Sequence, residues 1–297
     1  MADITQTVIA PFIPTIVANR ALEILRNYIV LAPIVTKDSD ITESFNVGDT
    51  LNIPYPGTFV ANDKAVNTAV TLQVPTATTT SVVLNKHKEV SFILEDRAAA
   101  LANQDVFNRY AEAAIIPIAE QVESDLLGLY TSFTNTTGVG GTNLNYATLI
   151  ATRKLMNDNK VSKSNRYMAI SDKDEAAMLS DTTLIPYFQY GNRDSIESGD
   201  LPKIAGFQLL PSQLIPFATN TKNLAFDPGA IILASRPLPT PPAGSGAVAS
   251  SVKDPVSGLV VRCIIAYNPA MLGLQCTIDL LYGVAKLRNE KAVVVLS

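Results

Sequence analysis

The chain has 297 residues, 47% of them hydrophobic and only 17% charged, with no Trp and a net charge of −4. A chain of this length buries roughly three-quarters of its unfolded surface in one or two domains, so it needs no disulfide or metal staple. Acids and bases are interspersed, leaving no basic face for nucleic-acid phosphates and no polybasic membrane patch, which excludes sequence-specific DNA or RNA reading.

In chain order, the first feature is the apolar run VIAPFIPTIVANRALEILRNYIVLAPIV. It carries Arg20, Glu23 and Arg26 in its middle and lacks a basic start with a small-residue cleavage site, so neither a signal peptide nor a membrane span fits. Its period predicts a helix with Val17, Ala21, Leu25 and Tyr28 on one face. FNVGDTLNIPY (45–55) alternates, with Val47, Leu51, Ile53 and Tyr55 on one side, and predicts a half-buried strand that Pro54, Pro56 and Gly57 interrupt. NDKAVNTAVTLQVPTATTTSVVLN (62–85) is mostly Val, Thr, Ala and Asn. That composition favours extended strand yet gives a core almost nothing to grip. KEVSFIL (88–94) resumes alternation through Val90, Phe92 and Leu94. Residues 46–94 therefore read as a two-stranded excursion, and about twenty residues each way reach on the order of 60 Å. An isolated two-stranded hairpin is marginal in water, so something else must cover it.

From Asp105 to Phe133 the period becomes helical: Phe107, Ala111, Ala114, Ile118, Val122, Leu126, Leu129 and Phe133 form one stripe. Pro117 falls inside it, where the missing N–H and the ring predict a kink. TNTTGVGGTN (134–143) reads as a turn or loop. Beyond it, YATLIATRKLMND predicts a helix, RYMAIS a strand, and DKDEAAMLS a helix capped by Ser171 with Asp174 three residues on. GFQLLP and AIILAS are short strands, RPLPTPPAGSGA (236–247) is a Pro-rich surface loop, and SSVKDPVSGLVVRCIIAY predicts a hairpin turning at Asp254 to Gly258. QCTIDLLYG and AVVVLS supply the last strands, with Gly283 between them. The class is α+β, and there is no internal repeat.

Chemistry-bearing residues are few. His87 is the only histidine and sits between Lys86 and Lys88, so it predicts a strand histidine, solvated or at an interface, rather than a triad member or metal ligand. Gly138, Gly140 and Gly141 lack the Lys-Ser/Thr pair of a phosphate loop. Ser245 belongs to the Pro-rich loop and has no strand-to-helix elbow. Glu120, Glu123 and Asp125 predict a solvated face or an ion pair across a subunit contact, and Asp172, Asp174 and Glu175 a favoured helix start. Cys263 and Cys276 sit among strand residues and read as buried reduced thiols. The expectation is a structural protein, not an enzyme, with no cofactor and no metal.

The order of these elements resembles the major capsid proteins of tailed bacteriophages, with the Hong Kong 97-type fold. The resemblance rests on the N-terminal helix, GDTLNIPYP, the long β excursion and a long helix ending AEQVESDLLGLY. It continues through IAGFQLLPSQLIP, AFDPGAIILASRPLP and the closing LLYGV. It implies an N-terminal arm over 1–45 and an extended loop over 46–92 that reaches across a neighbouring subunit through Phe59, Lys64, Val66, Val70, Leu72 and Val74. It implies a peripheral domain over 93–135 and 262–297, with the long helix as its spine, and an axial domain over 136–261. The implied partners are further copies of the chain in hexamers and pentamers, a separate scaffolding protein during assembly, a portal at one vertex, and packaged double-stranded DNA without sequence specificity; no membrane is involved. The implied location is the virion, after assembly in the host cytoplasm. Some members crosslink a loop Lys to an Asn of a neighbour; Lys64 lies at a corresponding place, but no partner acid is identifiable and no crosslink is assigned. An encapsulin shell remains open on these motifs. A surface-layer or adhesin protein would need a secretion signal, and an α/β enzyme would need a site within 136–261.

Overall fold

The computed structural model describes residues 12–37, 50–97 (without 56, 58, 75 and 77), 106–181, 184 and 201–297 (without 202, 218, 219 and 243). Val47 and much of the expected N-terminal arm lie outside the described residues. Within them, the strands form a six-stranded sheet, a five-stranded sheet and a two-stranded ribbon.

Helix α1 (Phe12–Tyr28) buries Val17, Ala18, Ala21, Leu22 and Leu25, spaced three and four apart on one face. Tyr28, expected on that face, is exposed. At the last helical position the chain turns inward, and Ile29, Leu31 and Ala32 fill the space instead. Helix α2 (Val106–Leu127) buries Ala111, Ala114, Ile115, Ile118, Ala119, Val122 and Leu126, and a 3₁₀ turn, Gly128–Ser132, carries the stripe to buried Phe133. Pro117 lies inside α2, where it leaves the Ala113 carbonyl without its intrahelical donor.

The two helices contribute to one core with the larger sheet. That sheet contains β1 (Thr36–Lys37), β4 (Lys86–Glu95), β9 (Ile231–Arg236), β10 (Ala247–Lys253), β11 (Val260–Asn268) and β12 (Gly273–Lys286). β12 is the organiser: one side pairs with β11, while the other pairs with β4 over Gly273–Tyr282 and with β9 over Leu281–Lys286. Gly283 therefore does not separate two strands; it lies within one. A Cβ there would sit 2.3 Å from the Val83 carbonyl oxygen, so glycine is what lets a second strand cross β12 closely.

The smaller sheet runs β5 (Thr136–Gly138), β13 (Ala292–Leu296), β8 (Lys222–Phe226), β6 (Arg166–Ile170) and β7 (Phe207–Pro211). Helices α3 (Tyr146–Asp158) and α4 (Asp172–Leu179) bury Leu149, Met156 and Met178 in the second core, on this sheet. The expected loop 134–143 thus contains a strand. Gly138 sits there at φ +79°, and a Cβ would lie 2.2 Å from the Leu296 carbonyl oxygen. Strand pairing crosses the sequence-drawn ranges. β9 and β10, within 136–261, belong to the larger sheet, and β13, within 262–297, belongs to the smaller one.

Candidate functional site: the exposed arm and its root

β2 (Thr50–Tyr55) and β3 (Thr78–Val83) form the ribbon, in register from Thr50 opposite Val83 to Tyr55 opposite Thr78. Its root is anchored: Leu51, Ile53 and Val82 are buried against Ile232 and Ala234 of β9, with Leu84, Ala285 and Leu287 packed alongside. The Arg288 guanidinium lies 5.2 Å from the centre of the Tyr55 ring, a cation–π contact at the last paired position.

Beyond Tyr55 and Thr78 the strand ladder stops, so the expected strand over 62–85 forms only at 78–83. Gly57 N–H still donates to the Thr76 carbonyl at 3.1 Å. Farther out the Gln73 side chain replaces the ladder, accepting from Val60 N–H at 2.9 Å and donating to the Val60 carbonyl at 2.5 Å. The tip turns at Val66–Asn67, with Asn67 at φ +61°. Thr68 closes the turn on the Ala65 carbonyl, which also accepts from Lys64 Nζ at 2.9 Å. Phe59, Val60, Val66, Val70, Leu72 and Val74 are all exposed, and Val66, Leu72 and Val74 by 87–93%. Apolar side chains exposed together along one short segment are a common mark of a binding surface. The six residues expected at a subunit contact therefore share one projecting arm, and Pro117 lies apart from them in α2.

The other sequence candidates resolve into structural roles. His87 Nε2 lies 3.1 Å from Asp279 Oδ2 with its side chain half exposed. Asp279 is buried and also accepts from Arg262 Nε at 2.9 Å and from Arg262 Nη2, while Arg262 Nη1 donates to the Pro239 carbonyl at 2.5 Å. That guanidinium ties the Pro-rich loop to the sheet. Cys263 and Cys276 are free and buried, with sulfurs 3.8 Å apart. Cys263 stands opposite Ile278, two residues from Cys276. That offset places the Cα atoms about 7–8 Å apart, too far to bridge without moving backbone. The contact with Cys276, together with burial, pushes the Cys263 thiol up.

Two acidic groups depart from the solvated reading. Glu123 is 1% exposed, and both its oxygens accept from Leu31 N–H, at 3.1 and 3.2 Å. Burial raises its pKa to about 7, partly offset by the Leu31 and Val30 amides. Asp125 accepts from Tyr282 Oη at 2.5 Å and pairs with Lys86 Nζ at 2.9 Å. Asp174 is fully buried and accepts from Asn223 and Ser297, each at 2.6 Å, and from Ser171 Oγ at 2.9 Å. Apart from the Ser171 hydroxyl, three residues from Asp174 and legible as a cap, these contacts carry no local signal, because the other donors lie 39 to 157 positions away. Gln73 was missed for a different reason, since a polar residue in a Thr-rich run looks like surface.

Among the described residues no group of three or more His, Cys, Asp or Glu side chains is placed to hold a metal ion, and no helix is long and apolar enough to cross a membrane. Residues 130–237 match the family model described as phage capsid protein. No match was found among curated proteins. Among solved structures, the chain is similar to one from Mycobacterium phage Che8, with 13% identity, a TM-score of 0.62, and 91% of this chain and 90% of that one covered. It is similar to the capsid of cyanophage P-SCSP1u at 15% identity and a TM-score of 0.66, covering 90% and 88%. Against the holo-SrpI encapsulin complex of Synechococcus elongatus the identity is 14% and the TM-score 0.51, covering 75% and 77%. At these identities the likeness is one of fold, and it extends over more of the chain with the phage structures than with the encapsulin. The shared fold is the Hong Kong 97 type found in phage capsid structures, and the segment that matches the phage capsid family model, 130–237, lies within it.

Proposed function

We propose that the chain is the major capsid protein of a tailed phage and that its arm is the main inter-subunit connector of an icosahedral shell enclosing the genome. The observation that carries this reading is the contrast along the ribbon. Leu51, Ile53 and Val82 are buried at the root, while Phe59, Val66, Val70, Leu72 and Val74 project without cover. A neighbouring subunit supplies that cover. The extended loop of 46–92 is then the reaching element, with Lys64 at its tip. The six-stranded sheet with α2 forms the peripheral domain, and the five-stranded sheet forms the axial domain near the capsomer centre. The role is structural, without catalysis. A scaffolding protein directs assembly in the host cytoplasm, a portal occupies one vertex, and the slightly acidic chain contains double-stranded DNA without gripping it.

Sedimentation and electron microscopy of the purified protein, with and without the scaffolding product of its own genome, test this: closed particles are expected. A species that stays monomeric at high concentration in both cases would defeat the reading. The encapsulin fold match supports a second reading, a protein-filled compartment. Particles that enclose protein cargo and no nucleic acid would favour it.

Pro117 has a role of its own in this reading, as a bend by which α2 follows the shell. A proline in a helix interior costs about 3 kcal/mol, and the buried stripe continues on both sides of it. Pro117→Ala is expected to stabilise the isolated subunit and to shift the particle-size distribution measured by microscopy. Particles identical in size and in expansion behaviour would make the bend incidental.

A further inference from the structure

The five-stranded sheet carries a crevice to which shell formation gives no role. β6 and β7 run parallel, so both end at the same edge, and α4 begins there immediately after β6. In open α/β sheets ligands collect at the carboxyl ends of the strands, where helix N-termini present N–H groups outward. The crevice has a volume of about 310 Å³, and Ser171, Lys173, Ser212, Gln213 and Thr221 are among the residues that line it.

Two independent observations indicate what it takes. The amides of Asp172 and Lys173 are the first two of α4, which helix geometry leaves without an intrahelical acceptor, and the Ser171 hydroxyl caps only the third, Asp174 N, at 3.3 Å. Across the crevice, Thr221 is 1% exposed, and its hydroxyl is the buried side-chain polar atom without a hydrogen-bond partner among the described residues. Native folds seldom leave such a group unsatisfied. Its position is fixed by the backbone, because Thr221 N–H donates to the Ser297 carbonyl at 3.0 Å and the Thr221 carbonyl accepts from Ser297 N–H at 3.3 Å. The Ser212 hydroxyl accepts from Leu214 N–H at 3.4 Å and keeps its own proton to donate. Lys173 adds a positive charge beside the lining carboxylate of Asp172; the first turn of α4 also carries Glu175 and the buried Asp174, whose charge is met by donors from Ser171, Asn223 and Ser297.

We propose that this crevice binds a small oxyanion, a carboxylate or a phosphate, between the start of α4 and the Thr221 hydroxyl. Two sources present that chemistry: a free inorganic anion, and an acidic side chain of a second copy of this chain. Inorganic phosphate titrated into the free full-length subunit tests the site, with chloride at matched ionic strength as the control. Saturable shifts of the Asp172 and Lys173 amide resonances are expected, together with a phosphate-dependent rise in melting temperature. Thr221→Val removes the hydroxyl at nearly constant volume. In phosphate-free buffer the variant should melt at the same or a higher temperature, since the orphaned hydroxyl is gone. Its affinity for phosphate should fall roughly tenfold, the worth of one hydrogen bond to a charged group. No saturable shift at tens of millimolar phosphate overturns the proposal, and so does a Thr221→Val variant that binds phosphate as tightly as the parent. Repeating the titration on assembled particles separates the sources. Undiminished binding assigns the site to a free anion, and lost binding assigns it to a neighbour's carboxylate. Only this second arm rests on the shell reading; the first stands whether or not particles form.

Discussion

Removing residues 57–76 and joining the ribbon with a short Gly-containing turn is expected to leave a folded subunit that no longer forms shells. The fold does not need the segment. No described side chain within 57–76 is buried, and the packed contacts of the ribbon lie at Leu51, Ile53 and Val82, outside the deletion. Surface changes away from buried contacts usually alter stability by no more than about 0.5 kcal/mol, so the melting temperature should barely move. Assembly is different. Covering an exposed Val, Leu or Phe contributes roughly 1.5–3 kcal/mol each, and the arm offers six exposed apolar side chains, including Val60, to a neighbour. Every subunit of a shell would lose that contribution at once. Sedimentation of the deletion variant decides it: closed particles at parental yield would show that the connecting surface is elsewhere.

A second large effect is expected at Glu123, whose buried carboxyl holds the Val30–Leu31 turn against α2. The folded pKa of about 7 stands above the ordinary value of 4.5, so the folded state favours the protonated group. Its contribution is complete below about pH 4.5 and is lost as pH rises through about 7. The gap corresponds to about 3 kcal/mol. Glu123→Gln keeps an acceptor for the amides but cannot ionise. The variant should therefore gain on the parent in stability as pH rises from 5 to 9, with most of the change between pH 5 and about 7 and little above about 8. Urea midpoints of both proteins across that range measure it. Two curves that stay parallel would mean that Glu123 ionises in the fold as it does in water.

Much of the architecture was legible because it rests on period. α2 declares itself through an apolar stripe about six turns long, and β4 through strict alternation in which Val90 and Phe92 face the core. β8 did not, since Asn223, Leu224, Ala225 and Phe226 are all buried and a central strand covered on both faces has no alternation to read. β5 hid in a Gly- and Thr-rich run because its pairing depends on β13, more than 150 residues later. Gly283 looked like a break, since sequence cannot show that another strand's carbonyl presses against it. The arm was legible by deficit: a stretch with strand composition and nothing to pack requires a partner. At the root, the alternation of 45–55 already set Leu51 and Ile53 on one face; that Val82 joins them and that β9 supplies the surface beneath was not legible.

Hydrogen exchange on the same protein, first as free subunit and then in assembled particles, tests the connecting role of the arm most directly. In the free subunit, amides from Val60 to Val74 should exchange fast, since few of the described backbone hydrogen bonds cross this part of the arm, while Leu51, Ile53 and Val82 at the root exchange slowly. In particles the same arm amides should become slow, and the root should change little. Protection of Val60 to Val74 that is equal in both states would contradict a connector covered by its neighbour.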